Sequence, residues 1–360
     1  MKKIIPFLCL IILASCTKDS NPVDPVPTPP TTMYFPPTTS SSWESVTPTS
    51  LNWNETELTN LYTYLQQKNT KAFIILKNGR IVVEKYFGTF TADSNWYWAS
   101  AGKTMTGFLV GIAQKEGLLN INNKTSQYLG TGWTSLPLAK ENLITVKHQL
   151  TMTTGLDDGV ADVDCTLPSC LTYKADAGTR WAYHNAPYTI LDKVVEAASG
   201  TTYNNYFQQK IRDKIGMNGL WVRNGYNNVY YSTPRSMARF GLLLLNKGSW
   251  NGTAILNDEA YFNTQVNTSQ NLNLSYGYLT WLNGKGSYMM PRVQAVFNGS
   301  LVPNAPADMY AALGKNDQKI YVVPSQNLVV IRMGDDTGNS QLAMSSFDNE
   351  LWGKLNTIIR

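Results

Sequence analysis

Two strand-like runs stand near opposite ends of this 360-residue chain, and the stretch between them has a different character. Phe73-Ile74-Ile75-Leu76 and Ile81-Val82-Val83 flank Asn78-Gly79, the dipeptide that most readily takes the positive φ angles of a tight hairpin turn. Residues 319–323 and 328–333, joined at Pro324-Ser325-Gln326-Asn327, make a second hairpin. Between them, helical patterns dominate residues 145–246, at 190–198, 203–215 and 237–245, and a last amphipathic helix runs over 347–359. Strand pair, helical middle, strand pair and final helix imply an α+β fold. Both chain ends then build one antiparallel sheet, flanked by helices, around a helical insertion at about 104–246.

Two further helices frame the first hairpin. Residues 55–68 carry Leu58, Leu61, Tyr62 and Leu65 at helical spacing. Residues 100–119 carry Met105, Phe108, Leu109, Val110, Ile112 and Ala113 with few charges, the pattern of a central helix buried on most sides. With 43% hydrophobic and only 15% charged residues the chain has ample core and no signature of disorder. Its net charge of +5 is mild and no dense Lys/Arg cluster follows the leader, which excludes a nucleic-acid footprint.

The first sixteen residues read as an export signal. Lys2 and Lys3 precede an apolar run from Ile4 to Leu13 that is too short for a bilayer, which needs ~20 residues. The run ends in Leu13-Ala14-Ser15-Cys16, which resembles a bacterial lipobox, so Cys16 is the expected lipidation site and the cell envelope the expected location. Residues 17–32, rich in Pro and Thr, read as a spacer ahead of a domain over 33–360. Cys165 and Cys170 close a short loop, and in an exported chain oxidising conditions favour a disulfide. A metal pair lacks ligands, since His148 and His184 are the only histidines and neither stands at ligand spacing; no cofactor is signalled.

Ser100-Ala101-Gly102-Lys103 opens the buried helix, and residues three apart share a helix face, so the Lys103 amine can reach the Ser100 hydroxyl. A serine becomes a nucleophile once its proton has an acceptor. A neutral lysine serves if its pKa falls from ~10.4 toward 7, a shift worth roughly 4 to 5 kcal/mol. Downstream, Tyr183-His184-Asn185 supplies a phenol to carry a proton and an amide to orient Lys103 and a substrate carbonyl. Decoys with the same spacing exist at Ser15-x-x-Lys18, Tyr203-x-Asn205 and Tyr226-x-Asn228. A Ser-His-Asp triad is rejected: there is no Gly-x-Ser-x-Gly elbow, His184 is expected to point away from the site, and His148 to make a polar contact near Thr151. Trp96, Trp98, Trp181 and Trp281 either line an apolar cleft or belong to the core.

From about Tyr34 onward the chain resembles the class C β-lactamases with their esterase, D-aminopeptidase and aminohexanoate-oligomer hydrolase relatives. The carriers are Ser100-Ala101-Gly102-Lys103, residues 144–156 (ITVKHQLTMTTGL) and Tyr183-His184-Asn185, in family order and at about family separation. Residues 232–245 and Trp250-Asn251-Gly252 add to the likeness. The resemblance implies Ser100 as acyl-accepting nucleophile, Lys103 and Tyr183 sharing the acid and base roles, and Asn185 positioning substrate. The third motif departs from the family. Where Lys-Thr-Gly or His-x-Gly is usual, the chain has Ala312-Leu313-Gly314-Lys315, so the cation that holds a substrate carboxylate is missing at 312. The Lys315 and Ser100 N–H groups remain as oxyanion donors, and Lys315 or Arg332 is the expected substitute cation. An ester or amide hydrolase is therefore the first expectation. A β-lactamase or D,D-peptidase acting on penicillin or peptide, and a catalytically silent binding lipoprotein, are the alternatives.

Overall fold

The computed structural model describes residues 30–338 and 344–359, together with Met1. The expected signal, lipidation site Cys16 and spacer up to residue 29 lie outside the described residues. No helix among the described residues is long and apolar enough to cross a membrane.

Strands β1 (Thr70–Lys77), β2 (Arg80–Tyr86), β3 (Trp281–Leu282), β4 (Tyr310–Gly314), β5 (Gln318–Val323) and β6 (Leu328–Gly334) form one sheet in the order β2-β1-β6-β5-β4-β3. Every neighbouring pair is antiparallel. The two hairpins meet as β1 pairs with β6, placing Phe73 opposite Arg332 and Ile75 opposite Val330. Asn78 and Gly79 both take positive φ in the first turn. A side chain at Gly79 would strike Tyr34, whose N–H bonds Asn78 and so ties the start of the domain to this turn.

Side chains alternate along β5, so its neighbours Ile320 and Tyr321 face opposite layers. Ile320 meets Gly241 of α3 (Pro234–Leu245), where a Cβ would lie 3.1 Å from it and 2.5 Å from Val329. Tyr321 bonds Asp348 of α4 (Ser346–Ile358), and α1 (Glu55–Gln67) packs beside α4 through Tyr64 stacked on Phe347. The sheet is thus sandwiched by helices.

Helix α2 (Gly102–Lys115) is buried from Gly102 to Ala113 and ends where Gly117 turns left-handed at φ +73. The middle of the chain differs from its sequence reading in two respects. Besides helices such as Leu191–Ser199 it contains a small antiparallel sheet in which Asn227–Ser232 lies between Trp96–Tyr97 and Leu220–Asn224. Its turn carries Asn224-Gly225, the same hairpin signal as Asn78-Gly79. The Leu220–Asn224 strand, however, buries only Trp221 and leaves Leu220 and Val222 exposed, and its run of three apolar residues lacks the alternation that marks a half-buried strand. The segment read as a helix over 203–215 is helical at Tyr203–Phe207 and widens into a π turn at Gln208–Arg212.

Candidate active site

Ser100 sits in a single 3-10 turn, Ala99–Ala101, that leads into α2. Ala99 is left-handed at φ +47, a conformation that costs a non-glycine residue roughly 1 kcal/mol and is held by its surroundings. Those surroundings are Trp98, fully buried. Its backbone N–H donates to the Tyr230 carbonyl and its indole N–H to Ser232 Oγ, each at 2.8 Å, which ties the turn to the small sheet. From the other side comes the end of β4. A Cβ on Gly314 would lie 2.4 Å from the Trp98 carbonyl oxygen and 3.0 Å from the Ala101 nitrogen, so glycine is what lets the strand lie against the turn.

One turn into α2, Lys103 Nζ donates to Ser100 Oγ at 3.0 Å. Lys103 is 4% exposed, and its ammonium is flanked by the rings of Tyr188 at 4.1 Å and Tyr183 at 5.1 Å. Burial lowers its pKa to about 7, while the negative charge of Asp164 pulls the other way. The ring faces also favour the ammonium, but they supply no full counter-charge.

Tyr183 stacks on Trp281 of β3 at 5.6 Å, and its hydroxyl is buried without a hydrogen-bond partner. Burial raises its pKa above the ordinary range, with the nearby Ser100 hydroxyl opposing, so it stays a neutral phenol. Asn185 opens a short helix, Asn185–Thr189, and its Nδ2 donates to Asp164 Oδ1 at 2.7 Å. The Asn185 carbonyl oxygen is left buried and unpartnered. Ser100, Lys103, Tyr183, Asn185 and Lys315 all line one cleft. Gly314 lies beneath it, against the serine turn.

Other expectations come out differently. Ala312 is 1% exposed, sits opposite Ile320 within the sheet and is not among the residues that line the cleft. Arg332 does not replace the missing cation. It is fully buried, and its guanidinium is spent on the carbonyls of Lys68, Asn316, Asp317 and Asp335 and on the Thr70 hydroxyl. Lys315 and Arg292 are the cations that line the cleft without such commitments. Trp98, Trp181 and Trp281 are core residues and Trp96 is half-buried, so the aromatic wall of the cleft is made by tyrosines instead. His184 is buried behind the cleft, where desolvation lowers its pKa to about 4. His148 bonds the Thr145 backbone at 3.1 Å in a helix-capping box, not Thr151.

Cys165 and Cys170 form a disulfide with Cα atoms 5.9 Å apart. Two residues of the cleft escaped the sequence reading. Asp164, next to Cys165, holds Asn185, and its second oxygen accepts from Asn227 Nδ2 at 2.9 Å. Asn227 belongs to a Tyr-x-Asn decoy, yet it and Asn228 line the cleft. The other decoy is structural, with Asn204 bonded both ways to the Trp221 backbone.

Fold and site together define the penicillin-recognising class of serine-hydrolase scaffolds. The family model described as Beta-lactamase matches residues 64–345, and the chain belongs to that family. An uncharacterized protein of Alkalihalophilus pseudofirmus is 22% identical over 74% of this chain and 84% of its own length. Among solved structures, a Bacillus anthracis protein provisionally named 6-aminohexanoate-dimer hydrolase superposes with a TM-score of 0.65 at 20% identity, covering 83% of each chain. EstCE1, described as a hydrolase with promiscuous acyltransferase activity, superposes at 0.63 with 10% identity over 86% of this chain and 99% of its own. At these identities the structural neighbours establish the α+β β-lactamase/transpeptidase fold.

Proposed function

We propose that the chain is a serine hydrolase that cleaves an ester or amide through an acyl-enzyme on Ser100. The observation that carries this reading is the 3.0 Å contact between Ser100 Oγ and a buried lysine whose pKa lies at about 7. At neutral pH a large share of Lys103 is the free amine and can take the serine proton as Oγ attacks the carbonyl carbon. Tyr183, kept neutral by burial, suits the opposite role: it passes a proton to the departing alkoxide or amine, and Lys103 replenishes it. The oxyanion falls to the Ser100 and Lys315 N–H groups, each donor worth ~3 to 4 kcal/mol in comparable enzymes. A water then attacks the acyl carbon and gives a proton to Lys103, which passes it to the departing Ser100 Oγ, so that the acid is released and the serine hydroxyl and free amine are restored.

The absence of a cation at Ala312, with Arg332 locked in the core, favours substrates that do not depend on a carboxylate at that point. The cell-wall or antibiotic reading keeps one support. A Bacillus subtilis protein provisionally named penicillin-binding protein PbpX is 27% identical over 45% of this chain and 42% of its own length.

Intact-mass labelling of residues 33–360 with a fluorophosphonate, and separately with a penicillin, tests the choice alongside Ser100→Ala. A single adduct from the fluorophosphonate alone, absent in the variant, is expected. Adducts from both reagents favour the cell-wall reading, and none from either, in folded protein, removes the enzyme. We further propose export and anchoring to a bacterial membrane through a lipid on Cys16, supported by Lys2, Lys3 and the apolar run that ends there. Cys16→Ala is expected to move the protein to the soluble fraction, and unchanged membrane association overturns the anchor.

A further inference from the structure

Asp164 joins parts of the cleft that come from three separate segments of the chain. Its own loop is set by Asp162, whose side chain caps the Asp164 N–H at 3.0 Å, and by the disulfide that begins at Cys165. One residue earlier, the Val163 carbonyl accepts from the Ala186 N–H at 3.2 Å, which binds the loop to the helix that starts at Asn185. The two Asp164 oxygens then reach in two directions, to Asn185 Nδ2 at 2.7 Å and to Asn227 Nδ2 at 2.9 Å on the small sheet. Loop, helix and sheet, three walls of one cleft, meet on a single carboxylate.

A carboxylate can only accept. It therefore decides the orientation of Asn185: the amide nitrogen must face Asp164, and the carbonyl oxygen must turn the other way, where it is buried and unpartnered. A neutral amide at 164 can donate as well as accept, and the orientation of Asn185 would no longer be determined. The same carboxylate bears on Lys103. Facing the ammonium are Ser100 and the rings of Tyr183 and Tyr188. Asp164 is the acidic group whose charge acts on it, raising a pKa that burial lowers. The remaining charged groups of the cleft are Asp158, paired with Arg180 at 2.6 Å, and the cations Lys315 and Arg292.

We propose that Asp164 is the positioning residue of this site: its carboxylate joins the three walls of the cleft, holds the Asn185 amide in one orientation and places a negative charge within reach of Lys103. The inference rests on the acyl-enzyme reading above and adds to it a group that acts through Asn185 and Lys103 without itself reacting.

The test is the pH profile of p-nitrophenyl butyrate hydrolysis by the wild type, Asp164→Asn and Asp164→Glu, with fluorophosphonate labelling of Ser100 in each. Activity rises with pH as Lys103 loses its proton, so the acid limb reports that group. Asp164→Asn removes the charge and frees Asn185. Its limb is expected to move to lower pH and its plateau kcat to fall about 10- to 100-fold, the loss that ~1 Å of misplacement brings, with a smaller change in KM. Asp164→Glu keeps the charge and displaces the oxygens, so its limb should stay in place while its plateau falls. This second variant retains a buried-side carboxylate and keeps the test open if Asp164→Asn folds poorly. A wild-type limb in Asp164→Asn overturns the proposal even if the plateau drops, because mere destabilisation lowers a plateau without moving a limb. A wild-type plateau in both variants overturns it as well. Failure of the wild type to label or hydrolyse removes the acyl-enzyme reading itself. Normal wild-type chemistry with indifferent variants removes only the role of Asp164.

Discussion

Among the described residues two lysines are buried, Lys103 and Lys319, and they are kept there by opposite means. Lys319, on β5, is fully buried with one carboxylate oxygen of Asp317 and one of Asp348 each 2.9 Å from its ammonium. The carboxylates are satisfied in turn, Asp317 by the hydroxyls of Thr337 and Ser345 and Asp348 by that of Tyr321. Burial pushes the Asp317 carboxyl up, and Lys319 with those hydroxyls more than offsets this, holding it below the usual carboxylate range. Lys103 is nearly as deeply buried, yet its immediate neighbours are one serine hydroxyl and two ring faces. Burial alone therefore does not make a lysine a base. What distinguishes Lys103 is burial without a paired carboxylate, and the cost of that arrangement is what turns the amine into a proton acceptor.

The largest expected effect is on the rate. Lys103→Met should lower kcat/KM for p-nitrophenyl butyrate by about 10⁴-fold, the upper range for loss of a general base. It should not lower stability. Between pH 7 and 10.5 the unfolded chain holds a proton on Lys103 that the folded chain has lost, so this group makes the wild type more stable as pH rises through that window. Below it the buried ammonium is a burden of up to roughly 5 kcal/mol. Urea melts at pH 6 and pH 9 should therefore show the variant gaining most at pH 6. A variant destabilised at both pH values would mean that Lys103 is an ordinary structural lysine.

Lys319→Met should do the reverse. Removing one partner of a buried ionic cluster leaves Asp317 and Asp348 uncompensated, a loss of about 3–5 kcal/mol by urea or thermal unfolding. Fluorophosphonate labelling of the protein that remains folded should stay stoichiometric. If labelling instead disappears while stability holds, the division between a structural and a chemical lysine is wrong.

The sequence makes one side of this comparison visible and hides the other. Ser-x-x-Lys at the head of an apolar helix brings Ser100 and Lys103 together by local geometry, and Asn78-Gly79 sets the first hairpin by its own backbone preference. Lys319 and Arg332, by contrast, are single charges in short strand runs, and the sequence offers Arg332 as a cation for the site. Only the pairing of β1, β6 and β5, with α4 packed over Tyr321, reveals that they are enclosed. Asp164 is hidden for a related reason: its partners Asn185 and Asn227 come from separate elements, and no periodicity marks a loop carboxylate. The Leu220–Asn224 strand is illegible because its turn signal stands beside Leu220-Trp221-Val222, a run without apolar–polar alternation. Local chemistry can be read in advance, whereas long-range enclosure has to be seen.

The smallest effect concerns the loop that carries the acidic group acting on Lys103. The Cys165–Cys170 bridge closes a short ring, and loop-closure entropy for about six residues gives it a worth of only about 2 kcal/mol. Its importance for the comparison is positional. Cys165 adjoins Asp164, so opening the ring loosens a carboxylate whose remaining supports are the Asp162 cap and two asparagine amides. Cys165→Ser with Cys170→Ser should therefore lower the urea midpoint modestly and also reduce plateau kcat by a few-fold. Its acid limb should broaden or move toward lower pH as the carboxylate spends less time near Lys103. If the stability loss appears with an unchanged pH profile, the bridge is a surface staple and the loop holds Asp164 without it. If the profile shifts, the unpaired lysine owes its pKa to two opposed contributions, burial that lowers it and a stapled carboxylate that keeps it from falling further.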